Sequence, residues 1–143
     1  ASPGVEPVAA NSYTHKTLSG SFNVRNRYLV ELLEKHGKNT DDVWSGITTN
    51  QGSVSHLDFL TDLEKDVFKT AFELDQKWII ELSGDRTPYI SQAQSINLFV
   101  PADIHKRELH KIHFDAWKKG LKSLYYCRSK SIQRAEQIKT TNN

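Results

Sequence analysis

The chain has 143 residues and 37% hydrophobic side chains, the size of one domain with enough apolar material for a core, including three Trp, six Phe and five Tyr. Nineteen Lys and Arg are interspersed with 17 Asp and Glu, so the formal net charge of +2 argues against a nucleic-acid partner, and no apolar run approaches the ~18 residues of a membrane span. One cysteine excludes an internal disulfide framework and points to a reducing, cytoplasmic compartment.

The opening ASPGVEP lacks an initiator Met and reads as the middle of a longer protein or as a processed N-terminus. Residues 1–21 are rich in Ser, Gly, Pro and Asn, which predicts loop and short extended structure. Asn26 is a candidate N-cap for NRYLVELLEKHG, where Tyr28, Leu29, Leu32 and Leu33 form a helical stripe and Gly37 is the stop. A second short helix follows Thr40, with Asp41 and Asp42 in its first turn and Val43, Trp44 and Ile47 on its apolar side.

The strongest periodic signal covers residues 61–82. Thr61 and Glu64 have capping-box spacing, and Leu63, Val67, Phe68, Ala71, Leu74, Trp78, Ile79 and Leu82 follow a helical period up to Ser83-Gly84. The pattern predicts one long helix. An extended segment is expected around 96–100, closed by Pro101. Asp103 then caps a helix over about 104–119 with Gly120 after its end, and LKSLYY, residues 121–126, reads as a strand. Strand, helix and strand in that order form a βαβ unit with parallel strands. Two strands make an incomplete sheet, so neighbours are expected from outside this chain. The tail SIQRAEQIKTTNN is polar.

Four features invite a chemical reading. His110 and His113 share a helix face, but no carboxylate or Cys is placed to complete a metal site, so packing or surface roles are expected. The basic run KRELHKIHFDAWKKGLK is interrupted by Glu108 and Asp115 and reads as a solvated helix face. Cys127 has no base nearby in sequence and reads as a small buried hydrophobe. Tyr125 and Tyr126 read alone as core residues, because neighbours in a regular strand point to opposite faces.

Four stretches in order change the weight of that pair: SPGVEP at 2–7, YTHKTLSGSF at 13–22, DRTPYISQAQSINLF at 85–99 and HFDAWKKGLKSLYYCRS at 113–129. Together they resemble the C-terminal part of the large subunit of class I ribonucleotide reductase, with the likeness running over about residues 2–136. The resemblance implies an α/β fold, as a helix-rich C-terminal part of a ten-stranded α/β barrel. It assigns 1–136 to the barrel domain and leaves 137–143 as a disordered tail.

It further implies that Tyr125 and Tyr126 relay a radical from the small subunit to an active-site cysteine upstream, with Tyr125 nearer that cysteine and Tyr126 nearer the small subunit. A phenol suits this role because it can lose an electron and a proton together. A contacting pair of neighbouring tyrosines would require the backbone to leave regular strand alternation. The implied partners are the remainder of the large subunit, the small subunit and, in the assembled enzyme, a ribonucleoside diphosphate that is reduced for DNA synthesis; neither nucleic acid nor membrane is implied.

No cofactor is expected on this segment. The whole enzyme of the family depends on the small subunit's metal-radical cofactor and on nucleotide effectors bound upstream. One cysteine cannot supply the family's thiyl and dithiol chemistry, so the segment is not expected to act alone. Glu6, in the matching VEP, is expected to have a loop-structural role. The alternative reading is a noncatalytic remnant that binds the small subunit or the rest of the large subunit.

Overall fold

The computed structural model describes residues 6–129. They divide into two compact units, one holding Pro7–Glu73 and the other running from Leu74 and including Glu6. The expectations for residues 1–5 and for the tail fall outside the described residues.

In the first unit, β1 (Ser12–Thr17) and β2 (Gly20–Arg25) form an antiparallel hairpin with Ser12 opposite Arg25 and Thr17 opposite Gly20. The short extended structure expected within 1–21 is β1, and a Leu18-Ser19 turn joins it to a second six-residue strand, completing a hairpin. Thr17 helps to hold the turn, its hydroxyl donating to the Gly20 carbonyl at 3.1 Å. Asn11, just before the hairpin, is buried. Its amide donates to the carbonyls of Gly52 and Phe68 at 2.9 and 2.7 Å, and its own Oδ1 accepts from Asn26. Only glycine fits at 52: φ is +82°, and a Cβ there would lie 2.3 Å from that of Ala10.

Helix α1 (Arg27–Lys35) begins at the expected cap, with Asn26 accepting from the Tyr28 N–H at 3.1 Å. Helix α2 (Asp41–Thr49) begins at Thr40. Leu29, Leu33, Trp44 and Ile47 are buried and form one core with Val54, Leu57 and Leu60. The Trp44 indole N–H is satisfied by Asn39 at 2.8 Å.

The long helix expected over 61–82 is two helices, α3 (Asp62–Val67) and α4 (Gln76–Arg86). The Thr61–Glu64 capping box is present. The break has a local cause. Thr70 and Glu73 repeat the same T-x-x-E chemistry, with the Thr70 N–H and hydroxyl both donating to Glu73 at 2.8 Å. Asp75 then caps a new start by accepting from the Lys77 N–H. The buried face is therefore not the continuous stripe that the period suggests. Leu63, Val67, Trp78 and Leu82 are exposed, while α4 buries Gln76, Ile80 and Ser83. Ser83-Gly84 does not end α4, which runs on to Arg86; a Cβ on Gly84 would meet the Lys119 side chain at 2.9 Å, so this glycine serves close packing.

In the second unit, β3 (Leu98–Val100), α5 (Lys106–Lys118) and β4 (Cys127–Ser129) form the expected parallel βαβ unit, with Leu98 opposite Cys127. The cap of α5 is His105, not Asp103: its Nδ1 accepts from the Arg107 N–H at 3.2 Å. Gly120 takes φ +76° after α5, as the C′ position requires. Ile80, Leu98 and Ala116 join α4, β3 and α5 in a small core, and Lys119 pairs with Glu81 across the two helices.

Two corrections bear on the site. The strand predicted at 121–126 lies later, at 127–129, and within 121–126 Lys122 donates to the carbonyls of Ile90 and Ser91. Cys127, expected to be buried, is exposed, as are all three residues of β4.

Candidate functional site

Residues 96–98 hold the tyrosine pair. Leu98 N–H donates to the Tyr126 carbonyl at 2.9 Å, as the Leu98–Cys127 register demands. Carried one step back, a parallel ladder would aim the Tyr126 N–H at the Ile96 carbonyl. Instead the Tyr125 N–H occupies that carbonyl, at 2.8 Å. The chain has slipped by one residue, as in a β-bulge. The displaced Tyr126 N–H donates to Asn97 Oδ1 at 3.1 Å.

The slip explains the side chains. Neighbours in a regular strand diverge to opposite faces, but these two rings touch, with centroids 4.1 Å apart and planes at 51°. Hydrogen bonding to Tyr126, and secondarily burial, holds the Tyr125 phenol above its ordinary pKa, so the Tyr125 proton is retained. The Arg128 guanidinium lies 5.5 Å from the centre of the Tyr126 ring. Both rings remain more than half exposed.

The segments on either side are fixed by side chains of the quoted motifs. Gln94, from SQAQSIN, accepts from Arg86 at 3.1 Å and donates to the Ser83 carbonyl at 2.8 Å. Lys122, from GLKS, donates to the carbonyls of Ile90 and Ser91 at 3.0 and 2.6 Å. Gln76 accepts from the Phe99 N–H at 2.8 Å, which satisfies the β3 group facing away from β4. Glu6 accepts from the Asn97 N–H at 2.6 Å and from its Nδ2 at 2.9 Å.

His110 stacks on Phe114, and His113 Nδ1 bonds the Leu109 carbonyl at 2.8 Å. Among the described residues, no group of three or more His, Cys, Asp or Glu could hold a metal ion, and no helix is long and apolar enough to cross a membrane. Sequence reasoning names the two tyrosines but misses Asn97 as the partner of the Tyr126 N–H. The signal is weak: one Asn inside SQAQSIN, 29 positions before the residue it serves.

The family model described as "Ribonucleotide reductase, barrel domain" matches residues 1–127. The chain is 53% identical to the ribonucleoside-diphosphate reductase large subunit of Invertebrate iridescent virus 6, over 99% of this chain and 15% of that protein. It is 38% identical to large chain 2 of the ribonucleoside-diphosphate reductase of Saccharomyces cerevisiae, over 93% of this chain and 15% of that one. Among solved structures, the class Id ribonucleotide reductase alpha subunit of Actinobacillus ureae superposes with a TM-score of 0.82 at 40% identity, covering 92% of this chain and 23% of that chain. The chain thus spans less than a quarter of the length of these relatives.

Proposed function

Because this chain belongs to the ribonucleotide reductase barrel-domain family, we propose that it is the C-terminal part of a ribonucleoside-diphosphate reductase large subunit and carries that enzyme's radical-relay tyrosines. The observation that carries the proposal is the contacting Tyr125–Tyr126 pair, obtained by a local departure from strand geometry. A fold that needed only two packed rings has no reason to slip its ladder.

Tyr126 receives the oxidising equivalent that the small subunit supplies. As a neutral phenoxyl radical, Tyr126 takes a hydrogen atom from Tyr125: the Tyr125 O–H bond breaks, the Tyr126 O–H bond forms, and the unpaired electron moves to Tyr125. No net charge is created. Tyr125 then takes a hydrogen atom from a cysteine thiol in the rest of the large subunit, where the ribonucleoside diphosphate is reduced. The hydrogen bond to Tyr126 that raises the Tyr125 pKa is also the path along which the hydrogen atom would pass. The residues here position the two oxygens and keep the proton on the path.

The test is reassembly. The chain is combined with the remainder of the large subunit and the small subunit, and deoxyribonucleotide formation is measured with a dithiol reductant. The expected result is turnover that is lost in Tyr125→Phe and in Tyr126→Phe. A complex that binds the small subunit but never turns over would mark a binding module instead.

A further inference from the structure

We propose that Asn97 is a positioning residue for the tyrosine pair, held in its working orientation by Glu6. The inference rests on the relay reading above for its functional consequence, but the clamp itself can be measured without turnover.

A one-residue slip leaves one backbone donor without its ladder acceptor, and an unpaired donor is costly. Here the donor is the Tyr126 N–H, and Asn97 Oδ1 accepts from it at 3.1 Å. An asparagine amide can face either way, but Glu6 decides which. A carboxylate only accepts. Glu6 takes the Asn97 N–H at 2.6 Å and Nδ2 at 2.9 Å, which turns Oδ1 towards Tyr126. Without that acceptor the regular register, with Tyr126 N–H on the Ile96 carbonyl, becomes the better-bonded alternative. That register sends the two rings to opposite faces.

The donors and acceptors can be exchanged, which gives a specific test. Asn97→Asp sets one carboxylate against another. Glu6→Gln sets an amide N–H2 against the Asn97 N–H2. In the double variant the new amide at position 6 accepts from the residue 97 N–H and donates to the new carboxylate, whose other oxygen accepts from Tyr126. Net charge is unchanged.

Two readouts are taken on the full chain and on the reassembled enzyme. Hydrogen exchange of the Tyr126 amide should quicken about 5- to 10-fold in Asn97→Ala, the weight of one lost hydrogen bond. In reassembled enzyme, kcat should fall about 100-fold, the cost of misplacing reacting groups by about 1 Å, with KM for the ribonucleotide unchanged. Each single swap should show both effects, and the double variant should recover both. Unchanged Tyr126 exchange in Asn97→Ala, or a double variant no better than either single, overturns the clamp. If Tyr125→Phe and Tyr126→Phe retain turnover, the relay reading fails, while the exchange data still decide the clamp.

Discussion

The Tyr125 N–H bonds the Ile96 carbonyl at 2.8 Å, one residue out of step with the Leu98–Cys127 ladder beside it. That displacement converts a pair that should straddle a strand into a pair in contact. Ring contact in turn lets Tyr126 hold the Tyr125 proton. Replacing Tyr126 with Phe removes the phenol oxygen but keeps the ring. The Tyr125 titration should then move down towards the ordinary phenol value of 10.0, read from its ring resonances in an NMR titration. A Tyr125 titration that does not move would show that the two oxygens do not bond.

The His36–Glu64 pair should give the first unit an acid-sensitive stability. His36 Nε2 lies 3.0 Å from Glu64 Oε1 and must donate, since a carboxylate cannot. This bond, followed by those from Thr61, lowers the Glu64 pKa from 4.5 to about 2. A depressed folded pKa contributes stability above the unfolded value and loses it as pH falls through the folded one. Thermal stability should therefore decline between pH 4.5 and about 2. Glu64→Gln should flatten that slope, measured by melting temperature against pH.

Two leucines that each fit a helical stripe in the sequence differ sharply in burial. Leu33 is fully buried in the α1–α2 core, whereas Leu63 on α3 is 74% exposed. Leu33→Ala should cost about 2–5 kcal/mol, and Leu63→Ala less than about 0.5 kcal/mol. Denaturant unfolding of both variants checks this. Equal costs would contradict the exposed position of Leu63.

The isolated chain should self-associate. Trp117 on α5 is 71% exposed and Trp78 on α4 is 63% exposed, with Phe114 close to Trp117 at 5.6 Å between ring centres. Aromatic side chains left in water favour association. Trp117→Glu should shift the chain towards monomer in sedimentation, and the remainder of the large subunit should do the same to the unmodified chain by covering that surface.

Much of this is legible in the sequence where the signal is local. Asn26, Thr40 and the Thr61–Glu64 box begin helices because caps act over three or four residues. The βαβ order also carries through. Periodicity misleads over 61–82, because the second T-x-x-E at Thr70–Glu73 and the cap at Asp75 outweigh an unbroken apolar rhythm. The tyrosines can be named from the quoted motifs. Their contact cannot, because it goes with non-local hydrogen bonds, from the Tyr126 N–H to Asn97 and from Asn97 to Glu6. Sequence reasoning can state that alternation has to be broken, but not which residue absorbs the break.

The most direct test of the relay places 3-aminotyrosine at position 126, a more easily oxidised phenol that would hold the radical there. The reassembled enzyme, with small subunit and ribonucleoside diphosphate, is mixed rapidly and followed by electron paramagnetic resonance. An aminotyrosyl signal should grow as the small subunit's own radical signal declines. Deoxyribonucleotide formation at the unmodified rate with no aminotyrosyl signal would contradict the relay.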